Sequence, residues 1–284
     1  MPHVLVNGVQ HYYEWIKSSG TSGDNPKPVM VFIHGWAGSG RYWQRTAIAQ
    51  SDQFDCLLYD MRGFGRSHLD EAERPNILKR GFELDTFADD LAALLDALNL
   101  SKVYINAHSM GATVGVYFVN RYPERVEKAI LTCNGIFDYD EAAFNAFYRF
   151  GGYVVKFRPN WLSRIPLVPQ LFMARFLKRS IPFREQKAFL EDFLTADYDT
   201  TLGTIYTSVS RKATEVMPLE FGQVKVPTLM VSGQYDQITP SDLGKRAAAL
   251  SPCIQYVELP RTAHFPMLED SKTYLTVVNR FLAE

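Results

Sequence analysis

Short apolar runs alternate with amphipathic helical patterns through the first half of the chain. Residues 29–33 are uninterruptedly apolar, which is typical of a strand buried on both faces of a parallel sheet. Further strands are predicted at residues 12–16, 54–59, 103–107 and 128–133. Because helical patterns separate most of these strands, we expect a mostly parallel sheet.

The segment from residue 85 to 98 has the period of an amphipathic helix. Its apolar positions recur every three or four residues, at Phe87, Leu91, Leu94, Leu95 and Leu98. Asp85 is predicted to cap the N-terminus of this helix, and Asp89 and Asp90 are predicted to favour its first turn.

The alternation of strands and helices is interrupted once, over residues 135–222, where prolines divide short helical patterns. It resumes with strands at 228–232 and 255–259 and helices at 240–250 and 271–282. One interruption in such a pattern is typical of an inserted cap. We therefore predict an α/β fold with a mostly parallel central sheet and helices on both faces. Residues 1–134 and 223–284 would form this core, and residues 135–222 a mainly helical cap.

Composition narrows the class of protein further. The chain is 46% hydrophobic, enough for a large core, and its net charge of −1 gives no overall basic field for nucleic acid. Cys56, Cys133 and Cys253 are far apart, which predicts free thiols and a reducing, cytoplasmic location. No signal-peptide pattern or apolar run of about 20 residues is present. Residues 18–28 are predicted to be a loop.

Residues 107–111 read Ala-His-Ser-Met-Gly and lie between a predicted strand and a helical stretch. Small residues two positions before and after a serine are typical of a nucleophile elbow. The backbone there turns sharply so that one side chain stands above the sheet, and bulk at either end would collide. Gly111 meets this need, whereas Ala107 adds one methyl group. The pattern predicts Ser109 as a catalytic nucleophile.

A nucleophilic serine needs a base, and the base needs an acid that orients it. His264 follows the strand at 255–259, and Asp236 follows the strand at 228–232. Both therefore lie at the carboxyl edge of the sheet, where sites gather in open α/β folds. We predict His264 as the base and Asp236 as the acid. Asp138, after the strand at 128–133, is the alternative acid.

The reaction also needs donors aimed at the developing oxyanion. The backbone N–H of Met110, directly after the nucleophile, is one candidate. The backbone N–H of Trp36, in the loop after the strand at 29–33, is the second. His34 is predicted to brace this loop by hydrogen bonding.

Taken together, these segments resemble the α/β-hydrolase fold superfamily, in its capped, cofactor-independent branch. The resemblance covers nearly the whole chain and rests on segments in the family's order, at residues 34–36, 60–67, 107–111, 233–236 and 263–265. It implies no cofactor. Relatives that cleave epoxides or haloalkanes have Asp at the nucleophile position, so Ser109 points to acyl transfer.

No His, Cys or carboxylate cluster has metal-ligand spacing, which argues against a catalytic metal. The glycines at 35, 38 and 40 have the wrong spacing for a dinucleotide or phosphate loop.

We therefore expect a hydrolase for a hydrophobic carboxylic ester or thioester, such as a lipid ester. A C–C bond hydrolase, a perhydrolase, and a receptor with slow turnover remain alternatives. The cap is rich in aromatic residues, so Phe147, Phe150 and Trp161 are candidates for lining the substrate pocket, or they form the core of the cap. The cap also concentrates basic residues. They predict that the cap contacts an anionic membrane, or else they form an ordinary solvent-exposed face.

Overall fold

The computed structural model describes residues 2–18, 27–72 and 74–284. Most of the loop predicted at residues 18–28 lies outside the described residues. The strands are β1 (His3–Val6), β2 (Val9–Ile16), β3 (Val29–Ile33), β4 (Asp55–Tyr59), β5 (Val103–His108), β6 (Val126–Thr132), β7 (Thr228–Gly233) and β8 (Ile254–Leu259). They form one sheet in the order β1-β2-β4-β3-β5-β6-β7-β8. The strand β2 pairs antiparallel with both β1 and β4. All other neighbouring strands in this order pair in parallel.

The helices connect the strands or follow the last of them. They are α1 (Gln44–Gln50), α2 (Arg74–Arg80), α3 (Leu84–Ala97), α4 (Met110–Arg121), α5 (Glu141–Lys156), α6 (Val168–Met173), α7 (Phe183–Thr195), α8 (Tyr198–Ser208), α9 (Arg211–Gln223), α10 (Ser241–Ala248), α11 (Pro266–Glu269) and α12 (Ser271–Ala283). Short 3-10 helices span Gly40–Trp43, Pro123–Arg125 and Asn160–Arg164. In the described part of the chain, no helix combines the length and apolarity needed to cross a membrane.

Each face of the sheet is covered by helices, as the sequence predicts. Successive side chains of a strand point to opposite faces, so Val31 and Ile33 of β3 join one core and Met30 and Phe32 join the other. The first core includes residues of α3, α4 and α10, and the second includes residues of α1 and α12. Burial on both faces explains why β3 reads as a continuous apolar run.

The start of α3 differs from the prediction. The helix begins at Leu84, its N-cap is Glu83, and no side chain caps it, so the prediction that Asp85 caps it is wrong. Asp89 and Asp90 lie in the second turn instead of the first. Both carboxylates bind cations from other elements: Asp89 pairs with Arg121, and buried Asp90 pairs with Arg62.

The helices α5 to α9 lie between β6 and β7, within and just beyond the segment predicted as a cap. We call residues 135–222 the helical insertion; its separation from the core as a domain remains a prediction. Pro169 does not divide a helix, because it occupies the first turn of α6, where a missing N–H is tolerated.

Candidate active site

Ser109 sits at the sharp turn between β5 and α4. Its backbone has φ 54° and ψ −124°, a conformation that residues with a side chain rarely adopt. The turn is held by a hydrogen bond from the Ser109 N–H to the Thr132 carbonyl, at 2.8 Å. At Gly111 a Cβ would lie 2.2 Å from the carbonyl oxygen of His34, so only glycine fits. Ala107 is fully buried in β5, where its methyl group is accommodated.

The structure brings the three predicted chemical groups into one hydrogen-bonded chain. The Ser109 Oγ lies 3.0 Å from the Nε2 of His264, and the Nδ1 of His264 lies 2.7 Å from the Oδ2 of Asp236. His264 and Asp236 follow β8 and β7 at the carboxyl edge of the sheet, and both are buried. Asp138, the alternative acid, instead forms an exposed ion pair with Arg246.

Asp236 is held in its ionised form. Burial alone raises the pKa of its carboxyl group, but the His264 ring and two backbone N–H groups outweigh burial and lower the pKa below its usual value of 3.8. These N–H groups belong to Ile238 and Thr239 and donate to Oδ1 at 2.8 and 3.0 Å. The Oδ2 atom therefore remains an anionic acceptor for the Nδ1–H of His264 at neutral pH.

The two backbone N–H groups predicted to face an oxyanion lie beside Ser109. Met110 follows Ser109 at the first position of α4, and Trp36 lines the same cavity as Ser109. Within the described residues, neither N–H donates to another group of the chain. His34 braces the loop as predicted, because its Nε2 accepts from the Met61 N–H at 2.9 Å and its Nδ1 bonds the Gly35 carbonyl.

A buried chain of polar groups connects the Gly35–Trp36 loop to residues 260–265, which we call the His264 loop. The sequence did not predict this chain. The Gly35 N–H donates to the Tyr42 Oη at 2.6 Å, and this oxygen lies 3.0 Å from the Nδ1 of His108. The Nε2 of His108 lies 2.7 Å from the His264 carbonyl oxygen. Since a carbonyl only accepts, Nε2 carries the proton and Nδ1 accepts from the Tyr42 hydroxyl. His108 and Tyr42 thus position the groups around Ser109.

Replacing Tyr42 by Phe should lower kcat about tenfold or more and destabilise the fold by about 1–3 kcal/mol. The buried Gly35 N–H would lose its acceptor and the His108 Nδ1 would lose its donor. Steady-state kinetics and urea denaturation measure both effects. Tyr104→Phe, at a half-buried tyrosine on β5, is the matched control. Unchanged kcat and stability in Tyr42→Phe would contradict the positioning role.

Three buried histidines make stability depend on pH. Burial is the main cause that lowers the pKa values of His11, His34 and His108 below the usual 6.5, most strongly for His108. Below pH 6.5 the unfolded chain binds protons that the folded chain does not, so the free energy of unfolding decreases as the pH falls.

We expect a slope of at most about 4 kcal/mol per pH unit, the value reached when only the unfolded chain binds the three protons, at about 1.4 kcal/mol each. Urea denaturation between about pH 7 and about pH 5 measures the slope. In His11→Gln the slope should decrease by at most about 1.4 kcal/mol per pH unit, since one of the three groups is removed. An identical slope in that variant would show that His11 is not among them.

A cavity of about 100 Å³ opens beside Ser109 and His264. Its walls are mostly apolar and come from the loop after β3 and the 3-10 helix that follows it, the helical insertion, the loop after β7 and the His264 loop: Trp36, Tyr42, Phe172, Met173, Phe176, Phe189, Phe193, Ile238 and Phe265.

One of the three residues proposed from sequence to line the pocket, Trp161, lies outside this cavity. Trp161 is 52% exposed and does not line this cavity, because its neighbour Leu162 packs inward against the core. The side chains of Phe147 and Phe150, on α5, lie outside the described residues.

Hydrogen bonds hold the insertion against this site. The backbone N–H of His264 donates to the Phe176 carbonyl at 2.9 Å. The buried carboxylate of Glu269 accepts from the N–H groups of Lys178 and Ala263, at 2.7 and 2.8 Å. These hydrogen bonds therefore fix the position of the helical insertion relative to the His264 loop.

One group of potential metal ligands that the sequence spacing did not indicate comes together here. The ligand atoms of His108, Cys133 and His264 lie within 4.8 Å of one another. The four ring nitrogens already form hydrogen bonds, and burial raises the pKa of the Cys133 thiol well above 9.0. These residues do not fit a resident metal, which requires free nitrogens and a thiolate.

A sequence model of the α/β hydrolase fold matches residues 28–271, and the chain belongs to this family. The protein is accordingly a hydrolase. It is 25% identical to the AB hydrolase superfamily protein YisY of Bacillus subtilis over 266 residues, which cover 89% of this chain and 90% of the relative.

Solved structures resemble the whole chain as well. The enol-lactonase from Burkholderia xenovorans has a TM-score of 0.79 and 19% identity, and each chain is covered completely. The thermophilic esterase from Thermogutta terrifontis has a TM-score of 0.77 and 21% identity, covering 100% of this chain and 98% of the esterase.

Proposed function

We propose that this protein is a serine hydrolase that cleaves an apolar carboxylic ester or thioester through an acyl-enzyme intermediate. The observation that supports this most is the hydrogen-bonded chain from Ser109 through His264 to Asp236, which opens onto an apolar cavity. A serine hydroxyl with a histidine base and a buried carboxylate is suited to acyl transfer.

In this mechanism the Oγ of Ser109 attacks the substrate carbonyl as its proton moves to the Nε2 of His264. The N–H groups of Trp36 and Met110 stabilise the resulting oxyanion. The intermediate collapses as His264 returns the proton to the leaving alcohol or thiol, so the acyl group remains on Ser109. Water then attacks this ester with His264 as base, releasing the carboxylic acid and restoring the serine.

The cavity favours a short acyl group. An enclosed apolar cavity of about 150 Å³ accommodates benzene, and the cavity beside Ser109 has about 100 Å³. Its aromatic walls would bind a hydrocarbon group and would leave a charged one without a partner. We therefore propose acyl groups of about two to six carbons and expect long lipid acyl chains to fit poorly.

The test is hydrolysis of p-nitrophenyl esters from acetate to palmitate by the wild type and by Ser109→Ala. The proposal predicts turnover that depends on Ser109, with the highest kcat/KM for short chains. Absence of Ser109-dependent turnover at every length would overturn the ester proposal and favour a receptor or a C–C bond hydrolase. Preference for palmitate would overturn only the assignment of acyl size.

Phe172→Ala should shift this preference towards longer chains. Phe172 stacks on Phe193 at a ring distance of 5.2 Å, and both line the cavity, so the substitution enlarges it. The ratio of kcat/KM for octanoate over hexanoate should rise about tenfold, since two more buried methylenes contribute about 1.6 kcal/mol. Phe157→Ala, an exposed residue outside the cavity, is the control. An unchanged ratio in Phe172→Ala would contradict the acyl assignment.

A further inference from the structure

The outer side of the helical insertion exposes many large apolar side chains. Six of them follow one another from the end of α5, through the 3-10 helix at Asn160–Arg164, to α6. We call them the outer apolar surface: Tyr153 (68% exposed), Phe157 (70%), Trp161 (52%), Ile165 (39%), Leu167 (64%) and Leu171 (72%). The 3-10 helix packs beside α6, so the two segments form neighbouring parts of one surface.

These exposed side chains are not part of an incompletely packed core. The same segments send other residues inward: Leu162 and Phe172 pack against the buried core, and Met173 is 1% exposed. Leu167 has φ 69°, the left-handed conformation that a leucine seldom adopts. The turn therefore holds an apolar side chain in solvent at a conformational cost. An exposed apolar patch of this kind usually marks a binding surface.

The charged residues within the stretch that carries this surface are of one sign. No Asp or Glu occurs between Glu141 and Glu185. In the described part of the chain, six exposed basic side chains of this stretch form no ion pair: Arg149, Lys156, Arg164, Arg175, Lys178 and Arg184. By contrast, Arg41, Arg121 and Arg246 elsewhere on the molecule each bind a carboxylate.

The surface also adjoins the candidate site. Helix α6 and the residues after it line the cavity beside Ser109 with Phe172, Met173 and Phe176. Leu171, the preceding residue, points to solvent. A partner bound at the outer apolar surface would therefore lie one helix away from the cavity.

We propose that the outer apolar surface docks on an anionic lipid bilayer. Aromatic and aliphatic side chains interleaved with unpaired Lys and Arg are suited to the boundary between headgroups and acyl chains. A second copy of the chain is a poorer occupant, because a two-fold interface would place the unpaired cations of both copies together. An anionic membrane supplies both the apolar layer and the opposite charge. This proposal goes beyond the proposed ester chemistry and does not depend on it.

The test uses the full chain with Ser109→Ala, which prevents turnover of vesicle lipids under the proposed mechanism. Vesicles of phosphatidylcholine alone are compared with vesicles containing about 30% phosphatidylserine, at about 0.1 M and about 0.5 M salt. We expect co-sedimentation with the anionic vesicles that decreases at high salt, and a blue shift of tryptophan fluorescence. Adding Trp161→Phe should abolish the shift while preserving sedimentation, since Trp161 is the reporter on this surface.

Two further variants show which groups cause binding. Leu167→Ser with Leu171→Ser, and Arg149→Glu with Arg164→Glu, should each weaken binding to anionic vesicles about tenfold or more. Ile48→Ser, an equally exposed residue on α1, should not change binding. All of these variants should retain the melting temperature and circular dichroism spectrum of the parent chain, which shows that they fold.

Equal binding to neutral and anionic vesicles, or binding unaffected by both pairs of substitutions, would overturn the proposal. So would a dimer by light scattering that dissociates when Leu167 and Leu171 are replaced by Ser, because the second copy would then be the occupant.

Discussion

Replacing Ser109 by Ala should lower kcat for ester hydrolysis by about six orders of magnitude under the proposed mechanism, the loss that follows removal of the nucleophile from a Ser-His-Asp protease. The substitution removes the only atom of residue 109 that bonds His264, at 3.0 Å. No other hydroxyl is placed to accept the acyl group from a substrate bound in this cavity in the described part of the chain, since Tyr42 is occupied by Gly35 and His108. Residual turnover would come from the oxyanion donors and from binding alone.

Steady-state kinetics on p-nitrophenyl butyrate measures this loss, and the melting temperature checks the fold. Because the Ser109 side chain bonds only His264 among the described residues, the variant should fold and bind a substrate analogue normally. Ser101→Ala, at an exposed serine just before β5, is the matched control. A loss of less than about a hundredfold in Ser109→Ala would contradict the nucleophile assignment.

Asp236→Asn should lower kcat by about four orders of magnitude with little change in structure. The Asn oxygen would accept the N–H groups of Ile238 and Thr239, as Oδ1 does now. Its NH₂ group would then face His264 and require Nδ1 to accept a hydrogen bond. That tautomer places the ring proton on Nε2, so His264 could not accept the proton of Ser109.

The same substitution at the other candidate acid is the control. Asp138→Asn breaks only an exposed ion pair with Arg246 and should leave kcat unchanged. Equal activity of Asp236→Asn and the wild type, or a large loss in Asp138→Asn, would contradict the assignment of the acid.

The sheet and the Ser109, Asp236 and His264 positions could be predicted because their signals are local. A strand buried on both faces, such as β3, is a continuous apolar run. The tight turn at Ser109 requires a glycine two residues later, and this requirement is visible in the sequence. The strand β1 was not predicted, because only Val6 of its four residues is buried and its pattern is weak.

The remaining features depend on contacts between distant parts of the chain. Tyr42 and His108 are separated by 66 residues, and no local pattern indicates their hydrogen bond. Helix α6 has six residues, too few for a period to show that Phe172 faces the cavity while Leu171 faces solvent. Trp161, a candidate for the pocket, lies outside this cavity for a similar reason, because it belongs to a 3-10 helix of five residues. The sequence shows that this segment is rich in aromatic residues but does not show which way each side chain points.

The positioning groups connect the fold to the proposed chemistry. Tyr42 and His108 tie the Gly35–Trp36 loop to the backbone of His264, and Phe176 of the insertion accepts the His264 N–H. The base, one oxyanion donor and the cavity wall are therefore linked by buried hydrogen bonds. A network of buried hydrogen bonds of this kind holds reacting side chains within a fraction of an ångström of their working positions.

The most direct test of the central proposal is to trap the acyl-enzyme. The protein is mixed with p-nitrophenyl butyrate, quenched with acid within milliseconds to seconds, and analysed by intact-mass and peptide mass spectrometry. The proposal predicts one butyryl group per chain on the peptide that contains Ser109, and none in Ser109→Ala. Turnover without any adduct, or a butyryl group on another residue that forms and decays at the rate of turnover, would contradict it.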